Sequence, residues 1–264
     1  MFFIFLAAGK GKRMNSSTTK VLVPVMGKPM LHWIIDSVNA VRAHRGDDKS
    51  KIPDKNMIFI VGENQDQIQK SLLTVYPSNE FTYIRQMNAN GTGDAIRSTL
   101  SFFREHSEID EKEQVLILPG DVPTISPGTI LEMMSCENHI VNSVLVHNST
   151  NPFGCGRILF DTGSSDHSKV LKIIEEKDCN ETTRKISCIN CGIYGMTVKT
   201  LFLVDRLDNK NAAGEYYLTD LLEIAYKENM PFDPVFLPAE KSHEFFNVNT
   251  PDDLKNITEF LSNN

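Results

Sequence analysis

Tryptophan occurs once and cysteine five times in these 264 residues, and no apolar run approaches the length of a membrane span. An odd cysteine count in a chain this large argues against a disulfide framework and for a reducing compartment, so the expected setting is the cytoplasm. Cys188 and Cys191 form one CxxC, but no second pair completes a zinc site, and packing in a strand is the plain expectation. The apolar run Phe2 to Leu6 is too short to cross a membrane and has no basic region before it, so it does not read as a signal peptide. Excess positive charge is also missing. The formal net charge of −7 argues against a broad phosphate-tracking surface for nucleic acid, and neither nucleic acid nor membrane is an expected partner. A local cluster of Lys and Arg could still serve a small phosphorylated substrate. Internal repeats, low-complexity tracts and long linkers are absent as well.

What is present is an alternation of buried strands and amphipathic helices. Phe2–Ala8 is a continuous apolar run, as parallel strands usually are, Met57–Val61 reads as a second buried strand, and Phe81–Arg85 and Val115–Leu118 read as a third and a fourth. Between them, Met30, Ile34, Ile35, Val38 and Val41 recur at helical spacing, and residues 65–73 form a second helix. The polar stretch 44–56 is expected to be a surface loop. Ser126-Pro127 opens a helix to about Cys136. Strands at 140–146, 156–160, 170–175 and 187–196 follow with little helix between them, then a helix at 217–227. Thr250-Pro251-Asp252-Asp253 starts a last helix ending near Leu261. The expected fold class is α/β: a doubly wound, mostly parallel, Rossmann-like sheet with a mixed or antiparallel extension that holds a second substrate.

The richest segment is LAAGKGKRMNSSTTK at 6–20. A strand ending in glycines leaves backbone N–H groups free for phosphate oxygens, and Gly9 and Gly11 remove the Cβ atoms that would block close approach. Arg13 and Lys20 would add mobile positive charge, which points to a nucleoside triphosphate site. No Walker A loop and no GxGxxG can be read here. Asp121, in LPGDVPTI, follows a buried strand at the sheet's carboxyl edge and could hold Mg²⁺; the plainer alternative is a Gly-Asp turn. Residues 90–95, NGTGDA, would expose amides at a helix N-terminus or form a simple turn. Gly154 and Gly156 in PFGCGR fit either close approach to a ligand or a hairpin bulge. In EEKD at 175–178, Glu175 and Lys177 would share a strand face by alternation, unless the run is a solvated charge cluster. Asn190 precedes Gly192 on a strand, and Asn249 in NVNTPDD reads first as a turn or cap residue.

Taken in order, LAAGKGKRM, Lys20-Val21-Leu22, Gln86, GTGDA, GDVP, GxGRI, EEKD, INCGI, GEYYLTD at 214–220 and Val248-Asn249 resemble the sugar-nucleotide pyrophosphorylase (nucleotidyltransferase) family. Within it they are most similar to the uridyltransferase domain of bacterial N-acetylglucosamine-1-phosphate uridyltransferase. The resemblance implies a nucleotide-diphospho-sugar transferase architecture and the synthesis of UDP-N-acetylglucosamine and pyrophosphate from UTP and N-acetylglucosamine 1-phosphate, with Mg²⁺. It assigns Leu6, Ala7, Ala8, Gly9, Gln86, Gly91 and Thr92 to the nucleotide and Arg13 and Lys20 to catalysis at its phosphates. Gly156, Glu175 and Asn190 go to the sugar phosphate, and Asp121 and Asn249 to the metal. It also implies one nucleotidyltransferase domain over 1–264, with a nucleotide part at 1–135, a sugar-phosphate part at 136–249 and a C-terminal helix at 250–264. No acetyltransferase β-helix is expected, and the oligomeric state stays open. There are departures. A second Gln three residues after Gln86 is Ala89 here, the family's frequent His is Asp94, and Pro119 replaces a frequent Tyr. Ala89 and Asp94 keep glucose 1-phosphate or dTTP as alternative substrates. A non-catalytic, nucleotide-binding relative is the other alternative.

Overall fold

A computed structural model describes residues 1–9, 11, 14, 18–44, 53–134, 142–161 and 169–263. Arg13, Cys136 and most of the 44–56 loop lie outside them. The chain packs as two compact units that interleave in sequence: residues 1–89, 118–131 and 240–264 form one, and 90–117 with 132–239 the other.

In the first unit β1 (Phe2–Leu6), β4 (Met57–Val61) and β5 (Thr82–Arg85) are parallel, in the order β5-β4-β1. The crossovers are α1 (Met30–His44) and α2 (Gln65–Val75). Phe3, Ile4, Phe5 and all of β4 are fully buried, which is why these strands read as unbroken apolar runs. Phe5 stacks on Phe59 with ring centroids 4.6 Å apart. A two-stranded ribbon, β2 (Pro24–Val25) with β3 (Lys28–Pro29), precedes α1. The Gly120 N–H donates to the Leu6 carbonyl at 2.9 Å, so the Gly-Asp segment lies at the carboxyl end of β1. Helix α8 (Pro251–Ser262) opens with a full capping box and buries Ile257 in a cluster with Met14, Val23, Val25, Met30 and Val248. Burying one such aliphatic side chain stabilises by about 2 kcal/mol.

The second unit is a mixed sheet in the order β6-β10-β7-β11-β9-β8. β6 is Gln114–Pro119, and the chain leaves this unit after Ile117. β7 is Asn142–Asn148, β8 Arg157–Phe160, β9 Val170–Ile174, β10 Cys188–Thr197 and β11 Phe232–Phe236. β10 runs antiparallel to both β6 and β7, and β11 parallel to β7. Cys188 and Cys191 are buried on β10. Helices α3 (Thr92–Arg97), α4 (Leu100–Glu105), α6 (Val198–Leu201) and α7 (Asp220–Lys227) belong to this unit, and α5 (Pro127–Met134) has residues up to Leu131 in the first unit and the rest in the second.

One strand expectation changes, and one strand is added. β9 stops at Ile174, and residues 176–178 turn as a short 3₁₀ helix, so Glu175 and Lys177 do not alternate on a common strand face. The added strand, β11, carries Pro234, which lacks an N–H. It is tolerated because β11 meets β9 only at Phe232, leaving the proline's missing donor without a ladder to break.

Candidate nucleotide and sugar-phosphate sites

In the first unit, the end of β1 is fixed by two neighbours. The Ala7 N–H donates to the Ile60 carbonyl at 2.9 Å, and Asn64 Nδ2 donates to the Ala7 carbonyl at 3.2 Å. Asn64 Nδ2 also donates to the Thr19 hydroxyl, tying the loop after β1 to the segment that carries Lys20. Asn64 had no sequence signal, because its two partners lie 57 and 45 residues away. Gly9 is exposed, and a Cβ there would meet nothing within 4 Å. Gly11 is different. Its φ is +58°, and a Cβ would come within 2.5 Å of Lys20 Cβ. Its bare Cα therefore makes room for the Lys20 stem.

Lys20 is nearly buried, and its ammonium does not point to open water. Nζ pairs with Asp121 Oδ2 and donates to Asn249 Oδ1 at 2.7 Å. Three residues expected to act together, separated by 101 and 229 positions, thus meet at one point. Asp121 is held by its backbone, since its carbonyl accepts the Val248 N–H at 3.0 Å. Asn249 lies in the turn ahead of a helix cap, as the first of its two readings expects. It precedes the α8 cap, and its amide oxygen faces a cation. Two hard oxygen donors converging on one ammonium show that this pair can share a cation. A carboxylate and an amide oxygen suit Mg²⁺, which takes its remaining ligands from water and phosphate. Gln86 follows β5, where its N–H donates to the Val61 carbonyl at 2.8 Å.

In the second unit, Gly91 and Thr92 start α3, and Gly91 has φ +110°. A Cβ on Gly91 would lie 2.5 Å from the Tyr216 carbonyl oxygen, and one on Gly93 2.6 Å from Leu207 Cδ1. The reason is a clamp. Gly93 N–H donates to Tyr216 O at 2.8 Å, and Tyr216 N–H donates to Asn90 O at 2.8 Å. Leu218 N–H donates to the Thr92 hydroxyl at 3.2 Å, and the Arg97 guanidinium sits 4.2 Å above the Tyr216 ring. The Gly93 amide, expected to face a ligand, is thus engaged by GEYYLTD.

Gly156, Glu175 and Asn190 come together. A Cβ on Gly156 would stand 3.5 Å from Asn190 Cβ and 3.7 Å from Glu175 Cδ. The Asn190 N–H donates to Gly156 O at 2.9 Å, and Asn190 Nδ2 donates to the Tyr194 hydroxyl at 2.7 Å. Glu175 accepts the Thr219 hydroxyl at 2.8 Å. Burial pushes the Glu175 carboxyl above its ordinary range, the Thr219 bond opposes this, and Asp178 and Glu215 add to it. Lys177 is exposed, and the organising residue of EEKD is Glu176 instead. Its carboxylate pairs with the buried Arg157 at 2.7 Å and accepts the Gly154 N–H at 2.9 Å, while Arg157 also donates to Cys155 O. These bonds shape the PFGCGR turn around Gly156. The Arg157 bond holds Glu176 below the usual carboxylate range.

The first unit thus carries a loop at the end of a buried parallel strand and a lysine beside two hard oxygen donors, and the second a polar cradle around Gly156. The chain belongs to the family of the MobA-like NTP transferase domain, which matches residues 3–171. It is 33% identical over 261 residues to a probable UDP-N-acetylglucosamine pyrophosphorylase of Acanthamoeba polyphaga mimivirus, covering 97% of this chain and 94% of that one. It is 38% identical over 230 residues to the bifunctional protein GlmU of Clostridium tetani, covering 85% of this chain and 45% of the relative. The chain spans about half the length of the GlmU relatives it matches. The fold matches a UDP-glucose pyrophosphorylase complexed with UDP-glucose, at TM-score 0.72 and 15% identity, covering 100% of this chain and 99% of that one. No helix among the described residues is long and apolar enough to cross a membrane.

Proposed function

We propose that this protein is a UDP-N-acetylglucosamine diphosphorylase, which joins UTP to N-acetylglucosamine 1-phosphate and releases pyrophosphate. The observation that carries the reading is the Lys20 ammonium seated between Asp121 and Asn249 at the carboxyl end of β1. The full-length relative of nearly the same size bears the name of this activity.

A phosphate oxygen of the sugar 1-phosphate attacks the α-phosphorus of UTP. The new P–O bond forms as the bond from the α-phosphorus to the α–β bridging oxygen breaks, and pyrophosphate leaves with the electron pair. The nucleophile is already anionic, so no general base is required, and positioning and charge neutralisation dominate. Leu6, Ala7, Ala8 and Gly9 at the end of β1 lie against the nucleotide, with the Ala7 amide spent on Ile60 and not on phosphate, and Lys20 with Arg13 balances charge on the leaving pyrophosphate. Gln86, Gly91 and Thr92 read the nucleoside. Glu175 and Asn190 bind sugar hydroxyls beside Gly156. Asp121 and Asn249 would hold Mg²⁺, which when bound supplies charge neutralisation between the two phosphates. The sequence parts 1–135 and 136–249 are then nucleotide- and sugar-phosphate-binding in role, and four free cysteines among the described residues suit a cytoplasmic enzyme.

A panel of nucleoside triphosphates and sugar 1-phosphates, scored by pyrophosphate release with Mg²⁺, tests the substrates. UTP with N-acetylglucosamine 1-phosphate should be the best pair. The second reading, dTTP or glucose 1-phosphate, is favoured by Ala89, Asp94 and Pro119 and would win if those substrates turn over faster. Asp121→Asn should raise the Mg²⁺ concentration for half-maximal rate at least tenfold. An unchanged requirement refutes the ligand assignment.

A further inference from the structure

Asn249 stands immediately before the cap of α8, and the cap does more than start a helix. A capping box needs the N3 side chain to accept only the N-cap N–H. Here Asp253 Oδ2 accepts two, from Thr250 at 2.8 Å and from Asn249 at 2.9 Å. The Thr250 hydroxyl returns the cap by accepting the Asp253 N–H at 3.2 Å. On the other flank, the Val248 N–H is bonded to the main-chain carbonyl of Asp121. Asn249 is therefore pinned between Asp121's own backbone and a carboxylate on a helix whose Ile257 is buried. Its amide oxygen, at the end of a short side chain, faces Lys20.

We propose that Asp253 is a positioning residue for the cation cluster: by accepting the Asn249 N–H it holds the Asn249 amide oxygen where it shares a cation with Asp121. The inference rests on Asn249 and Asp121 being metal ligands, as read above. An acceptor oxygen at 2.9 Å fixes the Asn249 N–H in place, so losing it frees the backbone that aims the ligand. Neither half of the pairing is visible in sequence, because Thr-Pro-Asp-Asp reads completely as a helix start.

The test is calorimetric titration of UTP into the full chain, once with Mn²⁺ and once with EDTA. The ratio of the two affinities reports the metal's contribution and is not an activity. Asp253→Ala should lower that ratio about tenfold, the scale of losing a partner behind a metal ligand. Thr250→Ala removes the other half of the same cap and should leave the ratio within about twofold, although it lowers thermal stability comparably. Asp253→Asn keeps an acceptor oxygen and discards the charge, so its ratio should stay within about threefold of the parent's. Equal losses for Asp253→Ala and Thr250→Ala would mean the cap acts only on the helix and would overturn the proposal. So would a loss in Asp253→Asn as large as in the alanine variant, which would assign the effect to charge. If Asp253→Ala does not fold, Asp253→Met, which also lacks an oxygen acceptor, takes its place with the same expected and contrary results. Asp121→Asn is measured alongside. An unchanged ratio there removes the metal assignment itself, whereas a lowered ratio leaves Asp253 to be judged by its own variants.

Discussion

At the residue scale the decisive fact is that Lys20, Asp121 and Asn249 converge. Their chemical types were legible in sequence, since a lysine after a glycine loop and a carboxylate after a buried strand each have a reason to be there. Their supports were not. Gly11 yields to Lys20, Asn64 ties two loops and Glu176 shapes a turn, all through partners that only folding brings near. The cluster has a consequence for Lys20 itself. If Asp121 and Asn249 hold Mg²⁺ as proposed, an ammonium and a divalent ion would compete for the same two oxygens. Lys20→Met should therefore bind Mn²⁺ more tightly than the parent in the absence of nucleotide, read by electron paramagnetic resonance. The same variant should lose about 10²–10³-fold in turnover, because one preorganised cation is gone. Weaker Mn²⁺ binding in the variant would show that the ammonium does not stand in the cation's place.

At the scale of elements, β1, β4 and the α8 cap were legible because burial and capping leave direct marks on sequence. β11 was hidden by Pro234, whose harmlessness depends on a pairing that stops at Phe232. The end of β9 at Ile174 was hidden too. EEKD has no glycine or proline to mark it, and Arg157, which draws Glu176 out of the strand line, lies 19 residues away. The clamp between α3 and the 214–220 segment gives a sharper expectation. Gly93 has an ordinary backbone conformation, so only space forbids a side chain there. An added Cβ would meet Leu207 Cδ1 at 2.6 Å and the Tyr216 carbonyl oxygen at 2.9 Å. A leucine end can rotate away, but a carbonyl held by the Gly93 N–H cannot. Gly93→Ala should cost about 1–3 kcal/mol in urea unfolding, in line with overpacking elsewhere. Gly154→Ala at a position with open space should lose less by packing and chiefly by its φ of +82°.

For the molecule as a whole, an acidic balance of −7 must coexist with two polyanionic substrates, and its cost shows in how stability depends on pH. Two carboxylates of the second unit act in opposite directions. Glu176, bonded to Arg157, titrates below its ordinary 4.5, so the stability it contributes is present above that value and is lost as pH falls below it. Asp220 is pushed up to about 6, first by burial and then by Glu175, Asp208, Asp178 and Glu223. A folded carboxyl that holds its proton more tightly than the unfolded one favours the fold at low pH, and that advantage disappears as pH rises from about 4 to 6. At neutral pH an ionised Asp220 is therefore a burden. Asp220→Asn should stabilise the protein at pH 7 by about 1 kcal/mol, most of the charge effect being screened by solvent. That corresponds to about 2–4 °C in melting temperature. At pH 4, where the parent Asp220 is already protonated, the gain should vanish. Calorimetric melting of both proteins at the two pH values checks this. An equal gain at pH 4 and pH 7 would place the effect in packing and not in the charge of Asp220.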